Sequence, residues 1–289
     1  MIRVQAVGGL GNQLFIWNLA HHLEELFKCD VKIYYPLGTG SDIKRELLPL
    51  AEICNHKISI VESAKFNRFL LMLDKFTNRN RAVSRFVLGI LNIRQTDIPS
   101  DTIIFKSKKP KIVRGYFQST KFVEDNVHLY IEELLAVTTS KALSSPIFNE
   151  IITSPQVLHI RRGDFKVNWE KVGLLTTMYF QKIINPKFKA LIFSDANSKD
   201  SEFADIFKNT QIIGSDIADT WTSFSLMSFS NQLVLSNSTF SWWAGIIVLR
   251  RGGEVIAPMP WTRTSIYGDD YLEHSNFIKK SSDFARNKP

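Results

Sequence analysis

His159-Ile160-Arg161-Arg162-Gly163-Asp164, entered through the apolar pair Val157-Leu158, is the stretch on which the reading of this chain turns. An apolar run that ends in two arginines and then turns on a glycine predicts a strand with guanidinium groups at its carboxyl end. That edge of an open α/β sheet is where ligands bind. Arginine keeps its charge throughout the physiological range, and its planar fork matches phosphate oxygens two at a time. His159 stands in period-2 register with Arg161, so both project from one strand face. A solvated turn on a basic protein is the competing reading of these six residues taken alone.

Three other segments have the same form, an apolar strand running into a small or polar turn and then a helix. The first is Ile2–Val7 followed by Gly8-Gly9-Leu10-Gly11-Asn12-Gln13-Leu14-Phe15. The second is Leu191-Ile192-Phe193-Ser194-Asp195, and the third is Leu233-Val234-Leu235-Ser236-Asn237-Ser238-Thr239-Phe240-Ser241-Trp242-Trp243. Around them the pattern alternates strand and helix. In the first half we expect strands at Ile2–Val7, Val31–Tyr35 and Ile112–Phe117, and a helix over 12–27 whose apolar residues recur at i, i+4. In the second half short apolar runs at 156–160, 190–193, 211–213, 232–235 and 254–257 alternate with helical stretches around 177–184, 201–207, 220–230 and 241–250. Such alternation predicts parallel sheets covered on both faces. The Ser/Thr-rich segment 138–155, with two prolines, reads as a linker between domains 1–140 and 155–289.

Taken together and in this order, the four segments resemble the bacterial α-1,2-fucosyltransferases of glycosyltransferase family 11, which are built around GGxGNQ, HxRRGD, FSDD and NSTFSWW. Gly115-Tyr116-Phe117-Gln118-Ser119 and Val255-Ile256-Ala257-Pro258 resemble the smaller signatures of that family, and the likeness spans residues 2 to about 261. It implies a GT-B fold, two Rossmann-like α/β domains with parallel sheets facing across a cleft. The N-terminal domain would be on the acceptor side, and the C-terminal one would bind GDP-fucose. It also implies inverting transfer of L-fucose from GDP-β-L-fucose to the 2-hydroxyl of a galactose-ended glycan, such as a lipid-linked O-antigen precursor. Where the family has a second Asp after Asp195, this chain has Ala196. Where relatives carry an Asp four residues before Met227, it has Ser223, with Asp219 one turn earlier. The segment Val172-Gly173-Leu174-Leu175-Thr176 replaces the His-Gly-containing stretch usual after HxRRGD, which leaves the acceptor open.

The implied roles fall on named positions. Arg161, with Asp164 beside it, takes the charge developing on the departing diphosphate, the kind of fixed electrostatic stabilisation that dominates many enzymes. His159, Arg162, Ser194, Asp195, Asn237, Ser238, Thr239, Phe240 and Ser241 line the donor site. A helix starting after hydroxyl residues is an anion site, and its plainer reading is an N-cap. Gly9, Gly11, Asn12 and Gln13 face the fucose and acceptor, with Asn12 also a catalytic candidate. The glycine turn does not carry a dinucleotide fingerprint, because the last position of G-x-G-x-x-G is Leu14. Trp242 and Trp243 read as packing.

Composition narrows the alternatives. With 289 residues, 44% hydrophobic and 12% aromatic, the chain can bury a real core. No apolar run approaches the roughly 20 residues that span a bilayer, and no charged-then-apolar leader precedes the first strand. Cys29 and Cys54 have no metal or redox spacing. We therefore expect a cytoplasmic protein. No Asp-x-Asp and no histidine cluster occurs, so neither a metal nor another cofactor is expected. The net charge of +8 admits nucleic acid, anionic lipid or a phosphorylated small molecule. Seven basic residues and only Asp74 as an acid lie between Lys65 and Arg94, with apolar residues at helical spacing. Such a stretch fits peripheral contact with the inner membrane, and equally a core-packed helix with a solvated outer face. Two rivals stand beside the fucosyltransferase reading. One is a related GT-B transferase with another linkage or acceptor. The other is a non-catalytic RNA- or lipid-binding protein, although no interleaved aromatic-basic surface for nucleic acid is visible.

Overall fold

The computed structural model describes residues 1–6, 8–35, 57–77, 81–96, 109–167, 169–196, 210–264, 267–268 and 271–286. The chain divides into two compact units, Met1–Tyr130 and Ile131–Pro289. Each is an α/β unit built on an all-parallel sheet.

In the first unit β1 (Ile2–Gln5), β2 (Val31–Tyr35), β3 (Ile58–Glu62), β4 (Ile93–Gln95) and β5 (Ile112–Arg114) form one sheet in the order β3-β2-β1-β5-β4. Every pairing is parallel. Helix α1 (Leu10–Phe27) follows β1, with Leu14, Phe15, Ile16, Trp17, Leu19 and Leu23 fully buried. Helices α2 (Ala64–Thr77), α3 (Arg81–Ile90) and α4 (Thr120–Asn126) complete the covering. Strand β5 is shorter than the expected 112–117 because Gly115 (φ 143°) and Phe117 (φ 55°) turn the chain out of extended geometry. Strands β3 and β4 were not expected. β4 is three residues long with two of them exposed, too little for an apolar run to register.

The second unit begins with α5 (Ile131–Leu143) and α6 (Phe148–Thr153). The expected linker over 138–155 is therefore largely helix, and the division of the chain falls earlier, at Tyr130/Ile131. Its Ser and Thr residues do not break the helices, because their hydroxyls bond back to carbonyls one turn earlier. Thr138 donates to Leu134 at 2.9 Å, Thr139 to Leu135 at 2.6 Å and Thr153 to Asn149 at 2.7 Å. The remaining elements are β6 (Gln156–Ile160), α7 (Gly163–Val167), α8 (Thr177–Gln181), β7 (Ala190–Ser194), β8 (Thr210–Ile213), α9 (Thr220–Met227), β9 (Gln232–Val234), α10 (Thr239–Arg250), β10 (Glu254–Met259) and β11 (Ile278–Ser281). All residues of β6 and β7 are buried, the signature of central strands covered on both faces. The helix expected at 201–207 lies outside the described residues.

The sheet order is β11-β10-β9-β6-β7-β8, again all parallel. Numbered from the first strand of the unit, this is the 3-2-1-4-5-6 order of a doubly wound nucleotide-binding sheet. The chain winds outward from β6 in one direction to β8, then returns to β9 and winds the other way. The carboxyl ends of β6 and β9 thus flank the point where the winding reverses. The edge strand β11 is exposed along its length and carries Lys279 and Lys280, which discourage edge-to-edge pairing.

Asp219 caps α9. Its Oδ1 accepts the Thr222 N–H at 2.6 Å and its Oδ2 pairs with Lys141 on α5 at 3.3 Å. Burial alone would push its carboxyl up, but the Thr222 hydrogen bonds and Lys141 outweigh that and hold it below the usual value. Replacing Asp219 by Ala should lower unfolding stability by about 1 kcal/mol through the lost cap, while Asp219→Asn, which keeps an acceptor, should cost less. Urea denaturation of the three proteins checks the order.

Candidate active site

Sheet order places the motif residues. Arg161 leaves the end of β6, and Ser236, Asn237 and Ser238 leave the end of the adjacent β9, leading into the first turn of α10. The two segments meet at a buried contact. His159 Nδ1 and the Ser236 hydroxyl are 2.7 Å apart, and the His159 ring lies 5.3 Å from that of Phe240. Burial, reinforced by the Arg161 charge, lowers the His159 pKa to about 3, so the imidazole is neutral near pH 7.

Arg161 is the partly accessible cation of the group, its side chain 30% exposed. Its Nε and Nη2 both donate to Asp164 Oδ1, at 3.1 and 2.8 Å, and its Nη1 lies 3.1 Å from Asp195 Oδ2. Asp195, at the end of β7, also accepts the Arg162 backbone N–H on its other oxygen at 2.7 Å. One carboxylate thus joins the ends of two adjacent strands and fixes the guanidinium plane. Gly163 makes this possible. A Cβ there would stand 2.4 Å from Asp195 Oδ2, so the motif needs glycine for the approach of a side chain rather than for a left-handed turn.

The other donor-side residues read from the sequence have protein partners for their side chains. Arg162 is 2% exposed, and its Nη1 donates to the carbonyls of Arg161 (3.2 Å) and Leu175 (3.1 Å). Ser194 donates to Ile160 O at 2.9 Å and accepts the Ala196 N–H at 3.1 Å, tying the carboxyl end of β7 to that of the parallel β6. Asn237 Nδ2 donates to the carbonyls of Val172 and Gly173 at 3.2 and 3.0 Å. Ser238 is the N-cap of α10, accepting from Phe240 N at 3.4 Å, and the Ser241 hydroxyl is buried against the carbonyls of Ser236 and Ser238. Thr239 and Phe240 lie half-buried in the first turn of the 12-residue α10. The helix macrodipole makes such an end favourable for an anion. Ser223, one turn into α9, donates to Ala218 O at 3.4 Å.

Several residues organise the site in ways the sequence did not announce. Ser236 holds His159. The loop Val172–Thr176 receives both Arg162 and Asn237, and the C-terminal segment clamps it from the other side. There Thr176 N donates to Asp283 O at 2.8 Å, Thr176 Oγ1 to Asp283 Oδ2 at 2.5 Å and Ala285 N to Leu174 O at 2.8 Å. No sequence signal announced a partner more than a hundred residues away.

In the first unit the glycine loop follows β1, and Gly115–Ser119 follows the adjacent β5. Gln118 Nε2 donates to Asn12 Oδ1 at 2.6 Å, and Gln13 Nε2 donates to Gly8 O at 3.1 Å. Gly8 adopts φ 75°, and a Cβ there would collide with the Asn12 amide. Gly9 precedes α1 as its N-cap, and Gly11 is buried in the first turn. The residues expected on the acceptor side are thus gathered at the carboxyl ends of two adjacent strands, β1 and β5. Among the described residues no cluster of His, Cys, Asp and Glu has the makings of a metal site, and no helix is long and apolar enough to cross a membrane.

A doubly wound parallel sheet with a guanidinium and a capped helix end at its reversal point has the form in which open α/β sheets receive ligands. The chain belongs to glycosyl transferase family 11, whose model matches residues 1–277, and it is a glycosyltransferase. It is 25% identical over 286 residues to an α-1,2-colitosyltransferase of Escherichia coli, covering 90% of this chain and 92% of the relative. The O-antigen biosynthesis glycosyltransferase WbnK of Escherichia coli is 22% identical over 285 residues, covering 88% and 92%. The solved structure of the fucosyltransferase NodZ from Bradyrhizobium aligns over 86% of this chain and 92% of its own, at 12% identity and a TM-score of 0.48.

Two outcomes follow from this geometry. Gly163→Ala should displace Asp195 and with it the orientation of Arg161. Turnover should fall roughly a hundred- to a thousand-fold, the range seen when one charge-stabilising donor is lost, while the melting temperature changes little. Steady-state rates on folded variant protein check this, with Asp195→Asn expected to be milder because an amide oxygen can still accept. The second outcome concerns acid. His159, with pKa about 3, and His21, lowered to about 4 by burial against the weaker upward pull of Glu24, are both below the ordinary value of 6.5. The unfolded chain therefore binds more protons between those values and 6.5, so stability is full above about pH 6.5 and falls with acidification, by at most about 1.4 kcal/mol per pH unit for each histidine. Unfolding of wild type and His159→Gln between pH 4 and 7 should show a shallower slope in the variant.

Proposed function

We propose that this glycosyltransferase is a galactoside α-1,2-fucosyltransferase. It moves L-fucose with inversion from GDP-β-L-fucose to the 2-hydroxyl of a galactose-ended glycan, such as a lipid-linked O-antigen precursor in the cytoplasm. The observation that carries the reading is Arg161 at the end of β6, next to the strand that leads into α10, at the reversal point of a 3-2-1-4-5-6 sheet. Family membership and the α-1,2 linkage named for the Escherichia coli relative support it.

Departure of GDP builds negative charge on the β-phosphate. Arg161 supplies a fixed countercharge whose plane is already held by Asp164 and Asp195, so little reorganisation is needed as that charge develops. Three of its five N–H groups are used in this bracing, which leaves two for phosphate oxygens. The positive end of the α10 dipole favours a second oxygen beside it. Asp164 acts on the arginine, and Asn12, held by Gln118, orients a sugar hydroxyl. Transfer proceeds without a divalent metal or other cofactor, because arginine and helix dipole carry the diphosphate in a chain that has no Asp-x-Asp.

A second reading keeps the linkage and changes the donor sugar to colitose, the 3-deoxy counterpart of fucose, as the activity of the 25% identical colitosyltransferase favours. A pocket that hydrogen-bonds the 3-hydroxyl rejects the deoxy sugar by a factor on the order of 10⁴, whereas an apolar pocket rejects the hydroxyl by only about 10².

Thermal shift with nucleotides tests class and donor together. GDP and GDP-fucose should stabilise the protein, by about 2.7 kcal/mol at a hundred times Kd, and ADP and UDP should not. Initial rates with excess EDTA should match those of the untreated enzyme. Equal stabilisation by ADP or UDP overturns the donor assignment. A loss beyond about tenfold in EDTA, restored by Mn²⁺ or Mg²⁺, overturns the metal-free mechanism, since removing a Lewis acid costs several kcal/mol of barrier.

A further inference from the structure

The outer surface of the first unit has a feature that glycosyl transfer does not use. Helices α2 and α3 bury their inner faces in one cluster, where Phe66, Phe69, Leu70 and Leu73 meet Val87, Leu88 and Leu91 against Ile93 and Ile112 of the sheet. Because both helices face the same cluster, their opposite faces look outward together. Those faces are not ordinary solvated ones. On α2 the exposed residues Lys65, Arg68, Leu71, Met72 and Lys75 follow the i, i+3, i+4, i+7 rows of one helix side. On α3 Phe86 and Ile90 stand one turn apart, 70% and 65% exposed, and Leu71 and Met72 are 43% and 53% exposed. Single exposed apolar side chains are common and need no explanation. Four large ones on two adjoining helices, with three cations on the same face of α2, do. Arg94, exposed on β4 just beyond α3, extends the basic rim.

We infer that this face docks on an anionic lipid membrane. Long cationic side chains around bulky apolar ones match a bilayer surface: Leu71, Met72, Phe86 and Ile90 enter the boundary between headgroups and acyl chains while the cations meet lipid phosphates. Charge decides against a second copy of the chain, because a two-fold contact through this face would set Lys65, Arg68 and Lys75 against their equivalents. The chemistry of the apolar side chains decides against nucleic acid, whose grooves need stacking aromatics, and only Phe86 of the four is aromatic. The inference concerns where the enzyme works and is independent of which sugar it transfers.

The test is flotation of the full chain with vesicles of phosphatidylcholine alone or mixed with phosphatidylglycerol, at low and high salt. Wild type should float with the anionic vesicles, weakly with the neutral ones, and less in high salt. The triple variant Lys65→Gln, Arg68→Gln, Lys75→Gln should lose about a hundredfold in partitioning, each cation near a charged bilayer contributing about fivefold. The variant Leu71→Gln, Met72→Gln, Phe86→Gln, Ile90→Gln should also be lost from the floating fraction, with the melting temperature of wild type. If that apolar variant fails to fold, the charge variant, which alters no buried contact, still decides the matter. Absence of wild-type flotation on anionic vesicles at low salt, or wild-type flotation of the charge variant, overturns the proposal. So does a dimer in sedimentation velocity that the apolar variant converts to monomer, because the face would then be a self-association surface.

Discussion

The second unit depends on one carboxylate. Asp195 reaches from the end of β7 to the end of β6, accepting the Arg162 backbone N–H on one oxygen and pairing with Arg161 on the other. A charged acceptor on a backbone N–H is among the stronger hydrogen bonds available to a protein. Here it orders a turn that would otherwise hold a mobile arginine. Side-chain entropy is the usual cost of placing a long cation, and bracing by two carboxylates removes most of it before any ligand arrives. The arrangement sacrifices net positive charge at the site in return for a fixed guanidinium plane. Gly163 is the steric condition for it, since a Cβ would stand 2.4 Å from the Asp195 oxygen and push it aside.

Around this brace the other motif residues form a supporting shell. Arg162 and Asn237, at the carboxyl ends of the adjacent strands β6 and β9, both donate to carbonyls of the loop Val172–Thr176. That loop is held in turn by the C-terminal segment through Asp283 and Ala285, which lie beyond the residues matched by the family model. Two motifs far apart in sequence are therefore joined through a stretch that belongs to neither. The neutral His159, buried against Ser236 and Phe240, closes the floor between them. A protonated imidazole there would face desolvation and the Arg161 charge at once, which is why its proton affinity is so low. The partly exposed Arg161 and the positive end of the α10 dipole are the features on which phosphate chemistry would draw.

In each unit the paired motifs leave adjacent strands: the glycine loop with Gly115–Ser119 after β1 and β5, and the Arg-Arg turn with Asn237–Ser241 after β6 and β9. In the second unit those strands flank the point where the winding reverses. At such a point the connecting helices lie on opposite faces of the sheet, so the strand ends between them stay uncovered. The Gln118–Asn12 bond plays in the first unit the part that the His159–Ser236 contact plays in the second, tying the two strand ends together.

What the sequence determined by itself was the alternation of elements and the identity of the turns that carry chemistry. Apolar runs as long as Gln156–Ile160 and Ala190–Ser194 register because strands buried on both faces have no polar face to interrupt them. Local signals failed where burial was partial or hydroxyls were ambiguous. β4 and β11 are exposed strands without an apolar run. The Ser- and Thr-rich 138–155 reads as linker yet is mostly helix, because a hydroxyl bonds a helix carbonyl as readily as it breaks a helix. What only the tertiary structure decided was the division of labour within each motif. Adjacent arginines are equivalent in sequence, but Arg161 is left at the surface between two carboxylates, while Arg162 is buried against the carbonyl of Leu175, 13 residues on. Asn237 reads as a ligand residue until its amide is found on a carbonyl 64 residues away. Residue type and spacing fix what a side chain is able to bond, and long-range packing fixes which partner is close enough to take the bond.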